Sequence, residues 1–230
     1  MLRLLIVVPL IAVSLMAYGG GYSLKALVGE MPDTLFPYLS RNNKLDMVDF
    51  IESDMKAEVN NIFGGMSEMT VLTDSFCAIT LNEAVTVEMR LLDYDGQHKA
   101  SELKADSALA LAFNTGCLIC MVTTYGRQPV VSDVAFYTIG WNRLDNIPNP
   151  TASIDTSELI ERGDSLDDNT FDNLMAQYQD VSVVAHLSPD DSSLTFAPVL
   201  PLLPNDMEDA FERCKRLICL KWCGDVYKNN

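Results

Sequence analysis

Val85-Thr86-Val87-Glu88-Met89-Arg90-Leu91-Leu92 sets the fold class of this chain. Val85, Val87, Met89 and Leu91 alternate with Thr86, Glu88 and Arg90, a period of two that places the apolar set on a buried face and the polar set on a wet one. Residues 85–92 are therefore expected to form a half-buried strand. Just upstream, residues 69–73 and 76–81 read as two short strands separated by Asp74-Ser75, and Asp93-Tyr94-Asp95-Gly96 downstream is a turn signal. Farther on, residues 118–125 and 130–141 are rich in Val, Ile, Thr, Tyr and Phe and flank Gly126-Arg127-Gln128-Pro129. They read as an antiparallel hairpin with Trp141 near its far end. Residues 181–187 and 194–199 make a last strand pair, stopped by Pro201 and Pro204.

Helical periods surround these strands. Met31-Pro32-Asp33 opens a segment with apolar Leu35, Phe36 and Leu39, and Arg41-Asn42-Asn43-Lys44 reads as a polar break. Asp46 is placed to cap a helix carrying Met47, Ile51, Met55, Val59 and Ile62 on one stripe, ended by Gly64-Gly65. Residues 99–113 are a short helix or an irregular crossing, which periodicity does not decide. From Asp155 to Asp180 the signals are helical: Asp155 and Glu158 have capping-box spacing, and Phe171, Leu174, Met175 and Tyr178 recur at helical intervals. Asn205 is placed to cap a closing helix running to about Leu220. This order favours an α+β fold: an antiparallel sheet of about 6–8 strands with helices packed on it. Asn146 to Pro150 interrupts the chain with two prolines, but the piece beyond would need a core of its own. Residues 22–230 are thus expected to form a single domain, with 145–152 as a mobile connector.

The 230 residues are 48% apolar and 21% charged, enough for a substantial core and too apolar for disorder. Asp and Glu number 32 against 16 Lys and Arg, a net charge of −16 that repels phosphate backbones and anionic lipid, so nucleic-acid binding is excluded. No period or low-complexity segment suggests a solenoid or rod. Arg3, an apolar run over residues 4–17 and the small exit Gly19-Gly20-Gly21 have the order of a signal peptide, expected to span residues 1–21. The run is shorter than the roughly 20 residues a spanning helix needs. Cleavage leaves no membrane span and a periplasmic or secreted protein; retention as an anchor is the alternative.

Few motifs carry chemistry. The six cysteines, Cys77, Cys117, Cys120, Cys214, Cys219 and Cys223, permit disulfides in an exported chain without fixing a pairing. Cys117 and Cys120 lie three apart on a strand and point to opposite faces. On the expected closing helix Cys219 and Cys223 share a face, with Cys214 about 140° round from Cys219. Free buried cysteines that pack as small apolar residues are the other reading. Neither His98, read as a solvated loop residue, nor His186, read as a hydrogen-bonded strand residue, has metal-ligand spacing, and no metal or cofactor is expected. No nucleophile elbow or phosphate loop occurs. Asp155, Glu158, Glu161, Asp164, Asp167, Asp168 and Asp172 form the strongest local bias, but their spacing fails the EF-hand pattern, and a solvated acidic helix face is expected.

The stretches Met31-Pro32-Asp33-Thr34-Leu35-Phe36-Pro37-Tyr38-Leu39 and Arg41-Asn42-Asn43-Lys44-Leu45-Asp46-Met47-Val48-Asp49-Phe50 look familiar. With Met55-Lys56-Ala57-Glu58-Val59, Leu72-Thr73-Asp74, Ile119-Cys120-Met121-Val122-Thr123-Thr124-Tyr125, Phe136-Tyr137 and Trp141, the chain resembles an exported Bacteroidales family of unknown function, domain of unknown function 3256. The resemblance covers most of the mature chain, is densest over residues 31–75, and implies a Gram-negative envelope location. It implies no reaction, cofactor or catalytic residue, and the Cys214, Cys219, Cys223 set has no match in it. Within the densest part, Asp33, Tyr38, Arg41, Asn42, Asn43, Lys44 and Asp46 are the candidate binding residues. Against that stands a structural role, with Asp33 and Asp46 as helix caps, Asn42-Asn43 as a turn and the aromatics in the core. The expected function is a non-enzymatic binding or interaction module for an envelope protein or glycan. The alternative is a periplasmic hydrolase using carboxylates such as Asp33 or Asp46, or members of the 155–172 cluster.

Overall fold

In the computed structural model the stretch quoted above is a strand at the heart of a six-stranded antiparallel meander. The structure describes residues 21–127, 130–162, 166–177, 182–199 and 205–229; the expected signal peptide apart from Gly21, with Gln128-Pro129, Asp164, Tyr178, Asp180, Val181, Pro201 and Pro204, lies outside them. The sheet runs β1 (Ala57–Asn60), β2 (Met66–Leu72), β3 (Phe76–Asn82), β4 (Val85–Asp93), β5 (Cys117–Tyr125) and β6 (Val131–Tyr137), each strand beside its sequence neighbour. Residues 99–113 fall in two short helices, α3 (Ala100–Ala105) and α4 (Ser107–Thr115), that carry β4 over to β5. Asp106 separates them, its carboxylate accepting from Ala108 and Leu109 N–H at 2.9 and 3.0 Å.

Alternation decides which face each side chain meets. Val87, Met89 and Leu91 of β4, with Ile119, Met121, Ala135 and Tyr137, are buried on one face under α1 (Leu24–Glu30) and α2 (Arg41–Glu52). Trp141 follows β6 at φ +61, closes this layer, and donates from Nε1 to the Leu27 carbonyl at 3.1 Å. The opposite face carries Phe76, Leu92, Leu118, Cys120, Val122, Val134 and Phe136. It is covered by a second antiparallel sheet in the order β10-β9-β8-β7, made of β7 (Ser182–Leu187), β8 (Ser193–Val199), β9 (Ile218–Trp222) and β10 (Tyr227–Asn229). Leu144, Ile147 and Pro150 are buried, the first two in this second core. Beside it, α5 (Asp168–Gln177) packs on α6 (Asn205–Cys214) through Leu174, Ala210, Phe211 and Cys214.

The polar face of β4 is therefore wet only at Thr86; Glu88 is half-buried and Arg90 buried. β7 is an edge strand whose outward amides are taken by side chains of the larger sheet. Leu187 N–H donates to Glu88 Oε2 at 2.7 Å, and Ala185 N–H to Ser132 Oγ at 3.0 Å. His186 Nδ1 lies 3.0 Å from Glu88 Oε1. Arg90, only 2% exposed, donates from Nη1 to the Ser188 carbonyl at 2.9 Å, while its buried Nε has no partner. Polar residues in the alternating pattern mark a second layer joined by hydrogen bonds, because an edge strand presents unpaired backbone groups that must be satisfied when covered.

Other expectations change for local reasons. α2 begins at Arg41, not after Asp46. Ser40 Oγ accepts from Asn43 N–H at 3.2 Å and Asn43 Oδ1 accepts from Ser40 N–H at 3.1 Å, a capping box that turns the expected polar break into the first helical turn. The helix stops at Glu52, where the chain reverses through Asp54 at φ +54. Val59 then belongs to β1, while Met55 and Ile62 are exposed, so the apparent stripe past Ile51 is a coincidence of spacing. Gly64-Gly65 turn β1 into β2 rather than end a helix. Asp155 caps only a 3-10 turn, Thr156–Leu159, and α5 starts afresh behind Asp167, whose carboxylate accepts from Thr170 N–H at 3.0 Å. The closing helix ends at Cys214, not near Leu220. There Glu161 N–H takes the Cys214 carbonyl and Arg216 N–H reaches the Leu159 carbonyl, both at 2.8 Å, and Ile218, Leu220 and Trp222 then alternate as a strand.

Candidate functional site

Most of the residues in the 31–46 segment hold the fold. Lys44, 0% exposed, donates from Nζ to the Met31 carbonyl at 2.6 Å and to Asp33 Oδ1 at 2.7 Å. Asp33 caps no helix; it neutralises a buried cation, which is costly to leave unpaired. Arg41 pairs with Glu30 at 2.5 Å on the surface. Asn43, besides its capping role, reaches the Asn60 carbonyl from Nδ2 at 3.3 Å and ties α2 to β1. Asn42 and Asp46 are exposed on α2, and Asp46 caps nothing.

Tyr38 leads to residues that the spacing concealed. Its carbonyl accepts from Ile62 N–H at 3.1 Å, and its ring meets Phe63 edge-on with centroids 5.1 Å apart. Ile62 and Phe63 are 62% and 67% exposed, and Met66 beside them is also exposed. Their turn is rigidly held. Buried Asn61 accepts on Oδ1 from Phe63 N–H (3.0 Å) and Gly65 N–H (3.1 Å), and its Nδ2 lies 3.2 Å from both Ser67 Oγ and the Leu81 carbonyl. Gly64 takes φ +81, a conformation that favours glycine. The turn thus displays two large apolar side chains to water. The signal in the sequence is Ile62-Phe63 immediately before Gly64-Gly65, hidden because Ile62 also fits a helical stripe.

The histidines and acids are structurally committed. His98 is not solvated: Nε2 lies 2.5 Å from the Tyr94 hydroxyl, and Nδ1 lies 3.7 Å from Glu102 Oε2. A Cβ at Gly96 would stand 2.7 Å from that hydroxyl and 2.9 Å from His98 Nε2, so the loop needs glycine there. Burial, then the charges of Asp225 and Asp106, raise the Tyr94 pKa, so the phenol keeps its proton and serves as a hydrogen-bonding group rather than a nucleophile. His186 is hydrogen-bonded as the strand reading expects, and its bond to Glu88 raises its pKa despite partial burial. The 155–172 acids form no single helix face. Asp155 and Asp167 close turns, and hydrogen bonds from Ser157 and Thr170 lower their pKa values; Glu161 pairs with Arg216 at 2.9 Å and Asp168 pairs with Arg162.

All six cysteines are free thiols in this structure. Cys117 and Cys120 face opposite cores, as strand spacing requires, and burial pushes the thiols of Cys77, Cys117 and Cys120 up, so they remain protonated. Cys214 is buried between α5 and α6. Cys219 is exposed on β9 and Cys223 is exposed just past it, so they do not share a helix face. Among the described residues no group of three or more His, Cys, Asp or Glu is gathered for a metal ion. Among them, too, no helix is long and apolar enough to cross a membrane.

A family model described as "Protein of unknown function (DUF3256)" matches residues 20–222. No curated protein matches. Among solved structures, a domain of an uncharacterized protein from Porphyromonas gingivalis W83 is similar with a TM-score of 0.60 and 15% identity, over 93% of this chain and 99% of that one. At that identity the likeness is one of fold, and it extends over both sheets.

Proposed function

We propose that this chain, which belongs to the family of proteins of unknown function DUF3256, is an exported, non-enzymatic interaction module of a Gram-negative envelope that takes a protein partner on the Tyr38, Ile62, Phe63 tip. The observation that carries this reading is the Asn61-locked turn that holds Ile62 and Phe63 in water. Isolated exposed apolar residues are ordinary, whereas a contiguous aromatic and aliphatic group on a rigid turn is the composition of an interface centre. The net charge of −16 favours a partner with basic residues around its apolar contact. A carboxylate hydrolase has less support, since Asp33 is engaged by Lys44 and Asp46 stands exposed on α2. Export rests on the order of charged, apolar and small residues in the first 21 positions, and it predicts a mature protein starting near residues 20–22 by intact mass.

The test is capture from an envelope fraction with the wild-type protein and the double variant Ile62→Ser, Phe63→Ser. Because both side chains are exposed, the variant is expected to unfold at the same temperature and to lose the captured protein. Retention of the same protein by the variant, or recovery of the bait alone by wild type at several salt concentrations, contradicts the proposal. Release of the bound material by glycosidase but not by protease identifies a glycan instead.

A further inference from the structure

Arg90 occupies the seam between the two sheets, opposite Phe76 on β3 and Cys120 on β5, with Cys120 in turn opposite Phe136 on β6. Tyr227 of β10 closes over this row, its ring 6.3 Å from Phe136 and 5.2 Å from Trp222, and its hydroxyl lies against the Cys120 thiol. Arg90 is 2% and Tyr227 6% exposed, and neither Arg90 Nε nor the Tyr227 hydroxyl has a well-formed hydrogen bond. Among the described residues no carboxylate pairs with Arg90. Glu88, on the same face of β4, is taken by Leu187 N–H and His186. Asp191 is taken by Ser193 and lies 3.9 Å from Lys221.

A guanidinium cannot escape burial by losing its proton, so its charge must be matched. Cys120 neighbours Arg90 across the β4–β5 ladder and its thiol lies against the Tyr227 hydroxyl, so Arg90 Nε–H, Tyr227 O–H and Cys120 S–H are three donors along one buried row, and the Ser188 carbonyl is taken by Nη1. The Tyr227 oxygen and the Cys120 sulfur can accept from a water as well as donate, but a water leaves the buried guanidinium charge unmatched, whereas an anion matches it. Phe76 and Phe136 flank the row with apolar rings and, among the described residues, Arg90 has no ion-pair partner of its own, which suits a single, compact, monovalent ion. We propose that Arg90, Tyr227 and Cys120 form a buried binding site for one anion of halide size, enclosed when the second sheet docks.

The experiment uses the full mature chain, with bromide as the probe. Thermal unfolding is followed as sodium bromide replaces sodium gluconate at constant ionic strength. An ion bound only in the folded state raises Tm by roughly 3–5 °C for each tenfold increase above its Kd. The variant Tyr227→Phe, which removes one oxygen and keeps the ring, is expected to fold and to need several-fold more bromide for the same rise. Crystals grown in bromide are expected to show an anomalous peak within hydrogen-bonding distance of Arg90 Nε. A Tm indifferent to the exchange, a bromide response unaltered in Tyr227→Phe, or a water at that position in bromide-grown crystals overturns the proposal.

Discussion

Lys44 and Arg90 are both shut off from water, one on each side of the six-stranded sheet, and they are held in opposite ways. On the helix face the chain supplies Lys44 with a carbonyl and a carboxylate from a segment 11 to 13 residues upstream. On the other face Arg90 receives one carbonyl, from Ser188, 98 residues away in sequence, and keeps a free Nε. A cation satisfied by its own neighbourhood is a structural pin; one left an acceptor short in a seam between two sheets is a place for something the chain does not provide.

The strongest break in this comparison is Glu88→Ala. It removes the acceptor of Leu187 N–H, frees His186 and withdraws the carboxylate nearest to Arg90 along β4, so a loss of about 2–4 kcal/mol is expected in urea unfolding. Asp33→Ala is expected to cost less, about 1–2 kcal/mol, because Asp33 is largely solvent-exposed and water replaces part of what it gives Lys44. Replacing the cations by an apolar chain of similar length sharpens the contrast. Lys44→Met is expected to stay within about 1 kcal/mol of wild type. Arg90→Met is expected to be as stable in gluconate as wild type is in halide.

The pH dependence is the smallest effect. The pKa of His186 is raised in the fold by Glu88, so its contribution is complete below its ordinary value of 6.5 and fades as pH rises through the raised one. Between pH 6.5 and the neutral to mildly alkaline range, wild type is expected to lose a fraction of a kcal/mol, since the histidine is half exposed. Glu88→Gln, compared over the same range by urea unfolding, is expected to lack that slope.

The strands of the large sheet were legible because alternation in residues 76–92 and 118–137 is local and strong. The second sheet was half hidden. Residues 218–222 follow a helix without a proline or glycine to mark the change, and the helix is ended by backbone pairing with residues 159–161, a contact no local pattern encodes. The same limit explains the wet reading of Glu88 and Arg90: period two tells which residues share a face, not what covers it. Within the 31–46 segment Asp33, Asn43 and Lys44 tie elements of the fold together, work that residue type and spacing do not distinguish from binding. The exposed Ile62 and Phe63 were masked by a helical spacing that the Asp54 reversal cuts short.

The most direct measurement is bromide-for-gluconate replacement at constant ionic strength, monitored by Tm, in wild type, Lys44→Met and Arg90→Met side by side. The expected result is a saturable rise in wild type and Lys44→Met and a flat line in Arg90→Met. A rise that survives in Arg90→Met, or no rise in wild type, would show that the two buried cations are not held differently after all.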